Sequence, residues 1–134
     1  MLLRSSDAMH PKQIESVIAL SPNERYGYFV RKVADCEELW GIYDDGWAMM
    51  ADGGGQEVFP LWPEREFADL MIADSWASHS ARKIDLESFL AKWIAGMTQD
   101  GIRPAVFPTP TGLGVVVDPS RLADDLKEEL EQYE

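Results

Sequence analysis

Two strand-like runs in this chain end in the same dipeptide, Phe-Pro, and that repeat constrains the fold more than any other feature. The runs are "EVFPLWPERE" at residues 57–66 and "AVFPTP" at residues 105–110. Because proline has no amide hydrogen, it cannot donate to a strand ladder. We therefore expect Pro60 and Pro108 where strand pairing stops, or where the amide side of a strand faces no neighbour. Neither proline requires a ligand to explain it.

Turn residues predict hairpins around both runs. In "LWGIYDDGWAMMA" (residues 39–51), strand-compatible residues lie on both sides of an Asp-Asp-Gly turn, and Asp-Gly allows the positive backbone dihedrals of a tight hairpin. "ADGGGQ" at residues 51–56 supplies a second turn before the strand that ends at Pro60. These segments predict an antiparallel meander. "RPAVFPTPTGLGVVVDP" at residues 103–119 predicts a further hairpin.

The helices are predicted from prolines at first helical positions, from capping residues and from the spacing of apolar residues. Proline is tolerated at the first helical position, and a Ser-x-x-Glu capping box marks a second kind of start. Apolar residues then recur three and four positions apart, most regularly from Leu86 to Met97. The expected helices begin at Pro11, after Ser21, at Pro63, after Asp85 and at Pro119.

Four more local expectations follow from these patterns. Leu70 should lie on the inner face of the third helix with Phe67 and Met71, and Gly96 should end the fourth helix. Cys36 continues the apolar face of the second helix, which predicts a small buried hydrophobe with a raised pKa rather than a nucleophile. "SWASHSARK" at residues 75–83 breaks the periodicity and is expected to be a loop.

Strand runs interrupted by helices, with hairpins in place of regular crossovers, favour an α+β fold. We expect a mainly antiparallel sheet of about five strands, a meander plus a hairpin, packed with four to five helices. The 134 residues suit one domain, and no linker or low-complexity tract divides them. Residues 1–134 are therefore predicted to form a single α+β domain.

The charge balance excludes several classes of partner. The chain carries 24 Asp and Glu against 12 Lys and Arg, a formal net charge of -12. Binding to phosphate backbones or anionic lipid requires Lys and Arg clusters, so nucleic acid and membranes are not expected partners. The sequence shows no signal peptide and no run of the roughly 20 apolar residues that span a bilayer. With a single cysteine, the cytoplasm is the expected location.

Motifs for chemistry are missing from the sequence. "DGGGQ" at residues 52–56 lacks the lysine and hydroxyl residue of a phosphate-binding loop. His10 and His79 are far apart and have no ligand at helical spacing, while Asp44, Asp45 and Asp52 are explained by turn chemistry. We therefore predict no catalytic residue, no cofactor and no metal, and enzymatic function is not favoured.

Tryptophan is the composition signal that stands out. Trp93 falls on the apolar stripe of its helix, and Trp40 and Trp47 alternate along predicted strands, so core packing is expected for all three. Trp62 and Trp76 sit at element ends, where a partly exposed indole can anchor a partner. The candidate partner-binding residues are Trp62, Trp76 and the nearby His79.

Several of these phrases occur together in a known family. The patterns W-G-x-Y-D-D-G-W (residues 40–47), F-P-L-W-P (59–63) and A-V-F-P (105–108) resemble a family of small uncharacterised proteobacterial proteins, a domain of unknown function. The resemblance covers nearly all of the chain beyond its first dozen residues and implies no activity. The strand ending in Phe-Pro, followed by a helix, also resembles the amino-terminal domain of secretion-enhancer proteins, at the level of fold only.

Two functions from different classes are consistent with these observations. The favoured hypothesis is a small acidic cytosolic protein-binding module that docks a basic partner through aromatic residues at an exposed sheet edge or the loop of residues 75–83. An immunity protein against a basic toxin is one concrete version. The alternative is a small hydrolase or transferase that uses His79 with a nearby Ser or Asp. A homodimer with Trp62 or Trp76 in its interface is a third hypothesis.

Overall fold

Five helices correspond to the five predicted starts. The computed structural model describes residues 9–74 and 76–132, without the side chain of Asp74. The capping box is formed, since the Ser21 hydroxyl accepts from the Glu24 amide at 3.2 Å and the Glu24 carboxylate accepts from the Ser21 amide at 3.0 Å. The helices are α1 (Pro11–Ile18), α2 (Pro22–Cys36), α3 (Arg65–Asp74), α4 (Leu86–Ser88, a π-helical turn Phe89–Trp93, and Ile94–Asp100) and α5 (Pro119–Glu131).

Six strands lie in the described part of the chain and form two sheets. They are β1 (Glu38–Tyr43), β2 (Met50–Ala51), β3 (Glu57–Leu61), β4 (Ser80–Asp85), β5 (Arg103–Val106) and β6 (Val115–Val116). β1 pairs with β4, and the other sheet has the order β2-β3-β5-β6. Trp40 and Trp62 form two backbone hydrogen bonds with each other, each 2.9 Å long, and these bonds connect the two sheets.

The α+β fold class is confirmed, as are two of the predicted hairpin pairings. β1 and β2 do not form the first hairpin of the predicted meander, because β1 pairs with β4 and not with β2. β2 pairs with β3 across the Gly-rich turn, and β5 pairs with β6, both antiparallel. β3 and β5 are parallel, with Val58 opposite Arg103 and Leu61 opposite Val106. That pairing was not visible in the sequence, because the strands are separated by two helices and β4.

The prediction of a loop at residues 75–83 is wrong from Ser80 onward. Residues 80–85 form β4, antiparallel to the whole length of β1. Ile84 alone in β4 is buried, so hydrophobic alternation is too weak to identify the strand. Its conformation depends on backbone pairing with the more apolar β1. Ser75 lies outside the described residues.

The two Phe-Pro sites differ in how they meet the sheet. β5 ends at Val106, and Phe107 takes a φ of 61° before Pro108, so pairing stops there as predicted. Pro60 instead lies inside β3. Strand backbone groups alternate in direction, and the Leu61 carbonyl accepts from Phe107 at 2.8 Å. The Pro60 nitrogen therefore points away from β5, toward the side where β2 pairing has already ended.

The core fills the space between the sheets and the helices. Trp62, Phe29, Phe67, Phe89 and Phe107 are its largest fully buried side chains. Trp62 is 0% exposed, and its indole Nε1 donates to the Pro108 carbonyl at 2.8 Å. The expectation of a partly exposed Trp62 is wrong, because the backbone contact with Trp40 holds residue 62 inside the extended sheet.

Three further side-chain placements correct the sequence expectations. Leu70 is exposed at 36% because Phe67, Ala68 and Met71 already fill the inner face of α3. Gly96 lies within α4, whose end is capped by Gly101 at a φ of 72°. Cys36 is exposed. It is the last residue of α2, and the left-handed Glu37 then turns the chain toward β1, so the thiol lies beyond the packed face.

Candidate functional site

An apolar groove with a volume of about 370 Å³ opens between β3, the segment before β2, and α4. Two tryptophans and a phenylalanine form its aromatic wall, two methionines and an isoleucine extend it, and one cation and one carboxylate lie at its rim. We call it the aromatic groove. Its lining residues are Trp47, Met49, Phe59, Lys92, Trp93, Gly96, Met97, Asp100 and Ile102.

The rings of the aromatic wall contact one another at near-ideal angles. Trp93 stacks on Phe59 at a centroid distance of 5.3 Å and meets Trp47 edge-on at 5.1 Å. Tyr43 continues the series at 5.2 Å from Trp47, and the Arg82 guanidinium lies 4.1 Å from the Tyr43 ring centre. Each aromatic pair contributes about 0.5–1.5 kcal/mol beyond its buried area. Phe59 is buried, while the rings of Trp47 and Trp93 remain half-buried.

Gly41 in β1 makes room for Trp47. A Cβ atom at residue 41 would lie 2.8 Å from the Trp47 ring, so the indole lies directly against the strand backbone. The turn that delivers it contains Asp45 at a φ of 57° and Gly46 at 155°. The Asp-Asp-Gly turn and the glycine in β1 together position Trp47 as the wall of the groove.

The π-helical turn in α4 positions Trp93. A π-helical turn adds one residue to a helical turn and is found often at functional sites. Here it spans Phe89–Trp93, with the Phe89 carbonyl accepting from the Ile94 amide. Phe89 is fully buried while Trp93 is half-buried. The expectation of pure core packing for Trp47 and Trp93 therefore holds for one side of each ring, and the other side belongs to the groove.

Gly96 leaves the helix side of the groove open. Lys92, Gly96 and Asp100 are spaced four residues apart, so they share one face of α4. No atom lies within 4 Å of a Cβ built on Gly96. The glycine is therefore not required by close packing within the described chain, although it costs a helix about 0.5–1 kcal/mol relative to alanine. Its effect is to keep space between the two rim charges.

A second depression, of about 390 Å³, contains Trp76. It lies between β2, the inner face of α3 and the loop after Pro108. Trp76 is half-buried there, so the predicted partly exposed indole is found at this position. We call this region the Trp76 depression. Its lining residues are Met50, Ala51, Met71, Trp76, Thr109, Pro110, Gly112 and Leu113.

His79 lies beside Trp76, with 6.3 Å between the ring centres, and it lines neither depression. Its Nδ1 atom is 3.4 Å from the Ser78 hydroxyl, which is 3.2 Å from an Asp44 carboxylate oxygen. One hydroxyl hydrogen can serve one of these two acceptors at a time. The carboxylate contacts the serine and not the histidine, so the order differs from that of a nucleophile, base and orienting acid.

A third polar region surrounds the end of α2. The Tyr28 hydroxyl donates to Glu64 at 2.6 Å. Burial raises the pKa of Glu64, and the hydrogen bond from Tyr28 partly offsets that rise. Burial also raises the pKa of the Cys36 thiol, with nearby Lys32 opposing the rise. Although Cys36 is exposed, it is therefore mostly protonated at neutral pH and a poor nucleophile.

The described residues contain no group of three or more His, Cys, Asp or Glu side chains that could hold a metal ion. Among the helices described, none has the length and apolarity needed to cross a membrane. The aromatic groove is lined by three aromatic side chains and the Trp76 depression by one, so we take the groove as the candidate site. Sequence reasoning missed it because its walls come from the segment before β2, β3 and α4, whose contact depends on the tertiary fold. An unexplained glycine inside a strongly periodic helix was the one local signal.

Comparison with known proteins yields a family and nothing more specific. A family model described as protein of unknown function (DUF2750) matches residues 26–126. That span includes both depressions and all the aromatic residues of the groove. No curated protein and no solved structure matches the chain.

Proposed function

The chain belongs to the DUF2750 family of proteins of unknown function, and we propose that it is a cytosolic protein-binding module whose aromatic groove docks a basic partner protein. The observation that carries this proposal is the open groove between Trp47 and Trp93 on one side and Gly96 on the other. Two local features that weaken a helix, a glycine and a π-helical turn, both keep this space open.

The chemistry of the groove suits an apolar or amphipathic side chain of a partner. Tryptophan faces bury a large area with little loss of conformational freedom and contribute much of the binding energy at protein interfaces, while flexible methionines adapt to the shape of a partner. A volume of about 370 Å³ is at the lower end of the range for small-ligand pockets. It can receive a single anchoring group from a partner. The lining supplies no paired acid and base for catalysis.

Charge favours a basic partner. The net charge of -12 creates a field that attracts cationic proteins and raises their association rate, and salt screens that attraction. An immunity protein that covers the cationic active site of a toxin is one concrete form of this function. Binding should therefore weaken as ionic strength rises.

A groove-filling variant tests the proposal. Gly96→Leu places a side chain in open space, while Gly96→Ala leaves most of the groove empty and serves as the matched control. Affinity capture from native lysate should recover a basic protein with the parent chain and with Gly96→Ala, in amounts that fall with added salt. Gly96→Leu should lose it. Equal recovery with all three chains, or no recovery with the parent, contradicts the proposal.

The contact of His79 with Ser78, and of Ser78 with Asp44, favours the hydrolase or transferase as the second candidate function. Ser78 lies between the other two side chains at an exposed turn. A His79→Ala variant should then lose turnover that the parent shows on a broad panel of ester and phosphoester substrates. Equal, negligible turnover in both chains eliminates this function.

A further inference from the structure

β2 is an edge strand with unpaired backbone groups. The Asp52 amide donates to the Gln56 carbonyl at 2.9 Å, and Ala51 lies opposite Glu57 in the same antiparallel ladder. Hydrogen-bonded and non-hydrogen-bonded pairs alternate in such a ladder. Asp52 belongs to a hydrogen-bonded pair, so Ala51 does not, and its N–H and C=O point away from β3. Among the described residues, no strand pairs with that outer edge.

Both depressions border this edge strand or the residue before it. Met49 lines the aromatic groove, and Met50 lines the Trp76 depression. Ala51, with its outward N–H and C=O, also borders the Trp76 depression. An open backbone edge is therefore bordered by both depressions.

We propose that the partner presents an extended basic segment, which pairs with the outer edge of β2 as an added strand. This inference rests on the proposed function and specifies how the partner binds. The apolar side chains of the added strand, on one of its faces, enter the aromatic groove, and its Lys or Arg side chains, on the other face, lie beside the Trp76 depression. Strand addition of this kind takes its affinity from main-chain hydrogen bonds and its specificity from pockets for alternate side chains. Trp76 thereby belongs to the same interface as Trp47 and Trp93.

Charge around the edge favours a basic segment. Asp44 and Asp45 occupy the turn before β2, and Glu57 begins the strand after it. Asp100 lies at the groove rim on the same face of α4 as Lys92. Arg103 is already engaged by Asp52 at 3.6 Å. Lysine or arginine residues that alternate with apolar residues in the added strand would meet these carboxylates.

The outer edge of β4, in the other sheet, is less suited to strand addition than the edge of β2. β4 exposes Arg82 and Lys83, and charged side chains on an edge strand prevent further pairing. The Met-Met-Ala segment of residues 49–51 has neither a charge nor a proline. It is protected from unselective pairing only by its short length.

Peptides provide the test. The probe is an array of ten-residue peptides in which Leu, Met or Trp alternates with Lys or Arg, and the control array groups the same residues into blocks. Binding is measured by fluorescence anisotropy against the parent chain, Ala51→Pro, Ala51→Val and Gly96→Leu. Proline at residue 51 removes the outward N–H and leaves the hydrogen bonds of the β2–β3 ladder in place. Valine keeps the outward N–H as well as the ladder. Circular dichroism and urea unfolding confirm that each variant folds.

Alternating peptides should bind the parent and Ala51→Val and lose about tenfold in affinity with Ala51→Pro, because a main-chain hydrogen bond is lost. Peptides of the control array, in which the same residues are grouped into blocks, should bind more weakly than the alternating peptides. Strand addition is overturned if no alternating peptide binds, or if Ala51→Pro binds as well as the parent. If Gly96→Leu loses binding while Ala51→Pro keeps it, the groove proposal survives and strand addition fails. If neither variant loses binding, both proposals fail.

A second copy of the chain is the competing occupant of the edge. Sizing chromatography with light scattering separates this case. A parent that dimerises and an Ala51→Pro variant that is monomeric would assign the edge to self-association and overturn the basic partner. A monomeric parent agrees with the proposal.

Discussion

Trp62 and the pair Trp47 and Trp93 show how differently one residue type is used in this fold. Trp62 is 0% exposed, and the Pro108 carbonyl accepts its indole N–H at 2.8 Å. Trp47 and Trp93 are half-buried and pack edge-to-face at 5.1 Å beside an open groove. The first indole has all its contacts within the chain. The other two keep part of their surface exposed to solvent.

The difference teaches that sequence position alone does not decide which tryptophan is exposed. Trp62 follows a strand and precedes Pro63, a typical surface context, yet the parallel pairing of β3 with β5 brings Pro108 over it. Trp47 and Trp93 occupy periodic positions typical of a core. Gly41 and the π-helical turn place them at its border instead.

Removing Trp62 should have the largest effect. Trp62→Ala deletes a fully buried indole and leaves the Pro108 carbonyl without its donor. We expect a loss of about 3–5 kcal/mol in the free energy of unfolding, measured by urea denaturation. Trp62→Phe, which keeps most of the ring volume, should lose less. A loss below about 1 kcal/mol for Trp62→Ala would show that this indole is not an interior residue.

Displacing Trp47 should have an intermediate effect. Gly41→Ala puts a Cβ atom 2.8 Å from the Trp47 ring, which forces the ring to move and costs about 1–3 kcal/mol. Near-ultraviolet circular dichroism should lose the signal of the Trp47–Trp93 pair while the far-ultraviolet spectrum is retained. An unchanged near-ultraviolet spectrum would mean that the ring does not lie on the Gly41 backbone.

Replacing the open glycine should have a smaller and opposite effect. Gly96→Ala removes a helix-interior glycine without any steric contact, so it should raise the free energy of unfolding by about 0.5–1 kcal/mol. Urea denaturation again measures the change. A destabilised Gly96→Ala would indicate that this position is packed, and the groove would then not be open there.

The smallest effect should come from the protonation of Glu64, near Trp62. Burial raises its pKa above the ordinary 4.5, so the folded chain binds the proton more tightly than the unfolded chain. This contribution to stability is complete below pH 4.5 and is lost as the pH rises through the folded pKa. Solvent screening limits its size.

Glu64→Gln removes this titration and keeps an acceptor for Tyr28. The urea midpoint of the parent should therefore fall relative to that of the variant as the pH rises from 4 to 7. If the urea midpoints of the parent and of Glu64→Gln change with pH in parallel, Glu64 titrates normally in the folded chain.

Sequence patterns fixed the local elements better than their assembly. The capping box at Ser21, the helix after Pro119 and the Gly-rich turn before Glu57 are set by short-range chemistry, and all three are found. The parallel β3–β5 pair and the polar β4 strand depend on distant partners that no local pattern encodes. The groove belongs to this second group, since it exists only where three distant segments meet. Trp76 was placed correctly because an indole in a polar loop has few ways to be buried.

Indole N–H signals in a ¹H–¹⁵N spectrum test the central claim most directly. The labelled chain is titrated with the basic protein that affinity capture recovers, and the five tryptophans are assigned by single Trp→Phe replacements. The account predicts that the Trp47 and Trp93 signals shift on binding while the Trp62 signal stays in place. Saturated binding with unmoved Trp47 and Trp93 signals would contradict it.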